Sequence, residues 1–450
     1  MPKISVIMPC LNMRQYVEES IQSVLSQTMK DIEVLFVDAG STDGTLDIAR
    51  QYEENDYRFH IVYSDQKSYG YQVNLGIRNA KGDYIAIVDT DDFIQEDMYE
   101  TLFCVAESNH ADYVKGGAEY FWEIENGQRI FVETLQFTRE EYKRGVIEVC
   151  PCRSPYLTTK DFFLWEGIYR RKLWEQISLH ETPGARYQDT GGLLNTVYLA
   201  KKAVFIPKAF YKYRQDNIKA SGYDRKGFGY TIHEYDYWLF EQGWAHKTRE
   251  WVQALYAKWC VQIIAKMHTM SITGQFWDES EDDMNKIAER FREAQAKGFL
   301  ERNMLPQWVK KDIEIFLRSP RELFDMLVYY VKEDRANSES LIEELKNKEQ
   351  IVIYGAGKNG RILCLMLQNN GIPADSILFC DSNNGDGKNE LFGVKICSPE
   401  YAMINYADAV YVVSSPKYGD GMRQRLADFG IAKNNIMSLN GNLRTEFVTC

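Results

Sequence analysis

The sequence predicts an α/β protein in which a sheet-forming first half is followed by a helical region and then by a second, smaller α/β domain. Three observations carry this. Short β-branched runs alternate with helical patterns from residue 1 to about 115, strongly amphipathic helical sequence fills about 225 to 345, and a new strand-loop-helix series opens at Gln350. At roughly 150 residues per domain, the 450-residue chain has room for about three domains, placed at 1–222, 223–345 and 346–450.

The runs 4–8, 33–37, 59–63 and 84–88 read as buried strands, and their alternation with helices implies parallel pairing. Between the first two, Val17, Ile21, Val24 and Leu25 recur at helical spacing, and Asn12 with Gln15 supplies a cap, so a helix is expected to open at Asn12. The aromatic stretch 116–222 holds two further strand-like runs, 203–206 and 211–214, and continues the first domain. Beyond it, Trp251, Leu255, Trp259 and Ile263 fall four residues apart, one apolar face of a helix whose purpose the sequence does not give. Residues 337–348 form a charged helix leading into the strand 351–354.

Hydrophobic residues make up 45% and charged residues 26%, the usage of a folded globular chain rather than a disordered one. A formal charge of -12 repels a phosphate backbone, which argues against nucleic acid as a partner. No apolar run approaches the length of a bilayer span, and Met1-Pro2-Lys3 leads straight into the first strand without a secretory pattern. A cytoplasmic protein is expected, with contact at the inner face of the membrane left open. The nine cysteines read as reduced, mostly buried thiols, since Cys150-Pro151-Cys152 lacks the second pair of a zinc site.

The strand 84–88 runs directly into Asp89-Thr90-Asp91-Asp92. The carboxyl edge of a parallel sheet is where ligands bind, and a hard divalent cation such as Mn²⁺ or Mg²⁺ is the usual way to hold clustered carboxylates together. An acidic turn capping the next helix is the plainer alternative. The strand 33–37 ends similarly, in Asp38 and a turn rich in Gly, Ser and Thr, where the Asp38 carboxylate is placed to accept from the N–H of a base.

These segments together resemble the family 2 glycosyltransferases, an inverting group with the GT-A fold, a Rossmann-like mixed sheet. The resemblance spans roughly residues 3 to 222. It rests on the run from Ser5 through Pro9 to Asn12, on Ser23 to Thr28, on Val37-Asp38-Ala39-Gly40-Ser41-Thr42-Asp43-Gly44-Thr45, on Asn74-Leu75-Gly76-Ile77 with Ala80 to Tyr84, and on Asp89-Thr90-Asp91-Asp92. The resemblance implies that Pro9 and Asn12 lie in the first nucleotide-binding loop and that Asp38 contacts the base. Asp89 would contact the ribose or the metal shell, and Asp91 would bind the metal that bridges the donor diphosphate. Ala39 and Val73 depart from the pattern, standing where many members have Asp and Arg.

Transfer with inversion needs a carboxylate to take the proton of the attacking hydroxyl. By the same resemblance Asp189 occupies that place, with Gln188 in the position of the usual Glu; capping of the helix after it is the alternative. Trp165, in Trp165-Glu166-Gly167-Ile168-Tyr169-Arg170, is either a stacking face for a sugar or a core residue, and Glu166 replaces the usual Asn. Arg214 and Ser221 resemble the family's closing strand and loop, where Arg214 is a candidate for the diphosphate, a solvated surface role being the other reading.

Near the C-terminus, Gly355-Ala356-Gly357-Lys358-Asn359-Gly360 lies between the strand 351–354 and the apolar helix 362–367, and Asp381 ends the next strand at the spacing of a ribose contact. The segment resembles the small Rossmann-like domains attached to sugar-modifying enzymes. A second nucleotide there, bound without catalysis, and a purely structural role both stay open.

The expected protein is a metal-dependent inverting glycosyltransferase moving a sugar from a nucleotide-sugar, taken as a UDP-sugar, to a hydroxyl of a surface polysaccharide or lipid-linked glycan. Self-association through the helical region is left open. A nucleotide-binding scaffold with a decayed transferase domain is one rival, and a nucleotidyltransferase is another. The latter lacks its phosphate loop, since Pro9-Cys10-Leu11-Asn12 follows the first strand.

Overall fold

The computed structural model describes residues 1–123, 127, 129–134, 145–148, 163–182, 187–217, 227–243, 246–272, 277–382, 390–439, 441 and 443. The chain divides into two compact units, one comprising Met1–Phe121 and Glu133–Phe324, the other Trp122–Val132 and Asp325–Cys450.

The first sheet contains β1 (Ile4–Cys10), β2 (Ile32–Asp38), β3 (Phe59–Tyr63), β4 (Tyr84–Ile87), β5 (Phe93–Ile94), β6 (Tyr113–Glu123), β7 (Arg129–Thr134), β8 (Val146–Glu148), β9 (Gly167–Arg170) and β10 (Lys202–Arg214). Its order is β3-β2-β1-β4-β9-β6-β10-β5, with β7 beside β6 and β8 beside β10. Strands β1 and β2 are buried at every position, as expected for parallel strands covered on both faces. β1 pairs in parallel with β2 and with β4, whereas β9 runs antiparallel to β4 and β6 and makes the sheet mixed. This is the GT-A-like arrangement. The runs 203–206 and 211–214 belong to one strand: β10 follows β6 through register shifts around Ala209, and that irregularity breaks its alternation into two apparent strands.

Two local expectations change. The first helix starts at Val17, not at Asn12, and Tyr16 precedes it without a side-chain cap. The helix Arg249–Ser271 is not amphipathic: Trp251, Leu255, Trp259 and Ile263 are fully buried, but so are Ala257 and Ile264 on the opposite face, so it runs through the interior.

The second sheet holds β11 (Ile351–Tyr354), β12 (Ile377–Cys380), β13 (Glu390–Leu391), β14 (Val394–Cys397), β15 (Val410–Val413) and β16 (Ile436–Ser438) in the order β13-β14-β12-β11-β15-β16. All pairings are parallel except β13 with β14. β11 lies between β12 and β15, where the winding direction reverses, and the glycine loop leaves its carboxyl end. One core on this sheet takes Leu341, Ile342 and Leu345 from the helix Pro320–Leu345, together with Ile362 to Leu367 of the helix Lys358–Asn369. Every described cysteine is a free thiol; Cys150 and Cys152 lie outside the described residues.

Candidate active site

The site grows from the carboxyl ends of β1, β2 and β4. Registers pair Cys10 with Asp38 and Ile7 with Ile87, so Pro9, Asp38 and the start of the acidic turn emerge along one edge. The Thr90 hydroxyl donates to the Pro9 carbonyl (3.2 Å), and the Cys10 N–H donates to Gln72 Oε1 (2.8 Å). Asn12 adopts a left-handed φ of 57° and joins the first loop to the second: its N–H donates to Ser41 Oγ and its Oδ1 accepts from the Thr42 N–H, both at 2.8 Å. Asn tolerates this conformation better than most residues, which accounts for its presence there.

Asp38 is 1% exposed. Its Oδ2 accepts from the N–H groups of Gly40 (2.8 Å) and Ser41 (3.0 Å), and Gly40, at φ 83°, lets the chain turn back over the carboxylate. The other oxygen, Oδ1, is buried with no hydrogen-bond partner. A buried acceptor without a donor is costly, and a ligand N–H arriving there would satisfy it.

The acidic turn divides its labour. Asp92 is structural: it accepts from the Tyr211 hydroxyl (2.8 Å) and the Arg214 N–H (2.7 Å), fastening the turn to β10. Asp91 accepts from Asn217 Nδ2 (2.8 Å), and Asp89 from the Tyr69 hydroxyl (3.3 Å). Burial, followed by the charges of Asp91 and Asp189, pushes Asp89 up to about 8. Burial also raises Asp91, against the lowering effect of the Asn217 hydrogen bond. Among the described residues no group of three His, Cys, Asp or Glu forms a closed metal cage. A Mg²⁺-like ion needs no such cage, being held by one or two carboxylates with water and substrate phosphate oxygens completing its shell. Two recessed, mutually repelling carboxylates fit that open kind of site.

Asp189 begins the helix Asp189–Leu199, preceded by Gln188, which makes no side-chain cap. Burial raises its pKa, and the charge of Lys258 is the first influence opposing this. Its own charge acts on Asp89 and on Tyr69, so the acidic turn and the start of this helix share one electrostatic environment although 100 residues separate Asp89 from Asp189 in sequence. Gly191 lets the helix start approach Trp238, whose indole Nε1 would lie 2.2 Å from a Cβ at that position. Before it, Tyr187 holds a φ of 65°, strain of about 1–3 kcal/mol that the surrounding contacts must offset.

The family model for glycosyl transferase family 2 matches residues 5–150. The glycosyltransferase GlyG of Streptococcus pneumoniae is 31% identical over 214 residues, which cover 47% of this chain and 70% of GlyG. The chain belongs to glycosyltransferase family 2. An uncharacterized glycosyltransferase of Bacillus subtilis, EpsJ, is 30% identical over 48% of this chain and 62% of its own length. Among solved structures, S. aureus TarS 1-349 in complex with UDP-GlcNAc covers 74% of this chain and 91% of its own at 18% identity and a TM-score of 0.49. The chain is a glycosyltransferase of this family.

Within this family member, Arg214 faces inward rather than toward solvent. Its Nε donates to the Asp91 carbonyl (3.0 Å), its terminal nitrogens lie by Asp216 (3.2 Å) and Glu19 (3.4 Å), and its guanidinium packs over the Tyr16 and Phe121 rings. It braces the acidic turn. Trp165 is 4% exposed and stacks on Tyr211 at 4.0 Å and Phe163 at 4.4 Å, so it is a core residue. Gln188, where many family members have Glu, is buried; its Oε1 accepts from the Gly70 N–H (2.9 Å) and its Nε2 donates to the Thr182 carbonyl (2.9 Å). A carboxylate could not make the second bond. Residues 184–186 and Ser221 lie outside the described residues.

In the second unit, Gly355 has φ 106°, and a Cβ at Gly360 would fall 2.0 Å from the Gly355 carbonyl oxygen, so both must be glycine. A Cβ at Gly357 would meet nothing within 4 Å. Asp381 Oδ2 accepts from the Ala356 N–H (2.8 Å), which ties the carboxylate to the loop itself.

Sequence reasoning missed Tyr69, Asn217 and Lys258. Tyr69 and Asn217 carry no signal beyond their neighbours, but a lysine inside an apolar helical run, as in Leu255-Tyr256-Ala257-Lys258-Trp259-Cys260-Val261, marks a buried charge that needs a partner.

Proposed function

We propose that the first unit binds a UDP-sugar with Mn²⁺ or Mg²⁺ at the edge formed by β1, β2 and β4 and transfers the sugar, with inversion, to a hydroxyl of a surface polysaccharide or lipid-linked glycan. The observation that carries this is the partnerless, buried Oδ1 of Asp38 on the same sheet edge as the acidic turn, where the charges of Asp91 and of the distant Asp189 both act on Asp89. Asp38 would accept the N–H of uracil through its partnerless Oδ1, with Pro9 and Asn12 shaping the loop beside it. Asp91 and Asp89 would hold the cation, which supplies positive charge to offset that developing on the leaving diphosphate.

The Asp189 carboxylate takes the acceptor hydroxyl's proton while that oxygen bonds to the anomeric carbon. The bond from the anomeric carbon to the diphosphate oxygen breaks, and its electron pair leaves with UDP. A carboxylate raised by burial suits this work, because a general base is most effective when its pKa approaches the working pH. Attack opposite the leaving group inverts the anomeric centre.

The free cysteines are those of a reducing compartment, which supports a cytoplasmic setting, with a lipid-linked acceptor presented from the inner membrane face. Among the described residues no helix is long and apolar enough to cross a membrane. A second nucleotide at Gly355–Gly360 is a lesser part of the proposal, supported by the loop's position where the sheet reverses and by the open space beside Gly357. The testing experiment is calorimetric titration of UDP with and without Mn²⁺. Wild type should bind more tightly with the metal and Asp91→Ala should lose that dependence; equal, metal-independent binding by both proteins would refute the donor site.

A further inference from the structure

The helix Arg249–Ser271 is an interior helix, yet it carries Lys258, fully buried, and Lys266, 6% exposed. Charged groups are rarely buried without a task, since removal from water is costly unless a partner compensates. Lys258, Gln262 and Lys266 recur every four residues and line one stripe about 12 Å long.

Two members of that stripe, Gln262 and Lys266, reach the short segment 187–190 as well as the helix Gly227–Asp236, where Lys266 Nζ lies 5.4 Å from the centre of the Phe228 ring. Lys266 Nζ donates to the Tyr187 hydroxyl (3.1 Å) and lies over the Tyr187 ring, 5.6 Å from its centre. Gln262 Nε2 donates to Thr190 Oγ1 (3.3 Å), while its Oε1 accepts from the Tyr235 hydroxyl (2.6 Å) and so is fixed in orientation. Asp189 lies between the two residues so held, and Gln188 secures the same segment from the other side, through Gly70 and the Thr182 carbonyl. The left-handed Tyr187 is thus pinned at its ring, its hydroxyl and its neighbour.

We propose that Gln262 and Lys266 are positioning residues that clamp segment 187–190 and hold the Asp189 carboxylate at the donor site, making this helix a working part of the transferase. The inference rests on Asp189 being the base. Neither residue needs to touch substrate. Their effect passes through where Asp189 stands, and small misplacements of a reacting group weaken turnover far more than binding.

The test measures UDP release from UDP-glucose, UDP-galactose and UDP-N-acetylglucosamine, with octyl β-glucoside as acceptor, beside UDP affinity in Mn²⁺ and melting temperature. Gln262→Leu and Lys266→Met should each lower kcat by about tenfold or more. The KM for the UDP-sugar and the UDP affinity should stay within about twofold, and Lys266→Arg, which keeps a donor to Tyr187, should recover most of the loss. A merely structural role would instead lower kcat, affinity and melting temperature together. Folded Gln262→Leu and Lys266→Met proteins with kcat within twofold of wild type would overturn the clamp. Asp189→Asn distinguishes the failures: if it is inactive while the clamp variants are normal, only the clamp falls, whereas a normal Asp189→Asn removes the base and the clamp with it.

Discussion

Replacing Asp38 by Asn tests the base pocket with almost no change in shape. In the native protein Oδ2 is engaged by the Gly40 and Ser41 N–H groups at 2.8 and 3.0 Å, and Oδ1 is buried and partnerless. The amide introduced by Asp38→Asn must keep its oxygen on those two donors, since turning the NH₂ toward them would bury donor against donor. The NH₂ therefore takes the Oδ1 position and faces the ligand. Uracil, presenting an N–H, loses a hydrogen bond to a charged acceptor, worth about 1.5–3 kcal/mol, or roughly 10- to 150-fold in affinity. Cytosine presents a bare ring nitrogen at the same place and gains a donor. Isothermal titration of UDP and CDP against both proteins in Mn²⁺ should show UDP affinity falling by that factor and the UDP-to-CDP preference shrinking or reversing, with the melting temperature nearly unchanged. UDP affinity within twofold of wild type, or an unchanged preference, would refute the role of Asp38.

Two further predictions concern stability. Asp89 is raised to about 8 by burial and by Asp91 and Asp189, so between the ordinary carboxylate value and pH 8 the folded chain binds more protons than the unfolded one. Stability of the metal-free protein should therefore fall as pH rises through that window, and Asp89→Asn should melt a few degrees higher than wild type at pH 8 but not at pH 4; thermal melts showing the same pH slope in both proteins would contradict this. In the second unit, Leu341, Ile342 and Leu345 belong to the core, so a fragment from residue 325 should melt at clearly higher temperature than one from 346, since each lost large apolar side chain costs about 2–5 kcal/mol. Equal melting temperatures would show that the helix Pro320–Leu345 adds nothing to that core.

What the sequence displayed was whatever depends on local pattern. Buried parallel strands are continuous apolar runs, so 4–8 and 351–354 fall within β1 and β11, whereas 59–63 forms the edge strand β3, in which only Phe59 is buried. Residues at the carboxyl ends of those strands were legible for the same reason, because strand ends fix where Asp38 and Asp89 emerge. What depends on tertiary partners was not. Asn12 looks like a helix cap because the Ser41 and Thr42 groups it bonds are 29 and 30 residues away. Arg214 looks like a phosphate ligand until Asp91, Asp216 and Glu19 are found around it. The helix Arg249–Ser271 looked amphipathic and without a stated purpose because a four-residue apolar repeat on one face says nothing of the faces beside it.

At the centre of the proposed sugar transfer stands Asp189, proposed as the base, whose charge acts on Asp89 of the acidic turn. Turnover of Asp189→Asn with saturating UDP-sugar and an accepted hydroxyl compound, measured beside UDP affinity, tests this most directly, because the substitution keeps size and hydrogen bonding while removing the basic oxygen. Turnover should fall roughly 10²-fold or more with UDP affinity and melting temperature little changed. Near-normal turnover in Asp189→Asn would contradict the assignment and shift attention to Glu166, buried on the segment before β9.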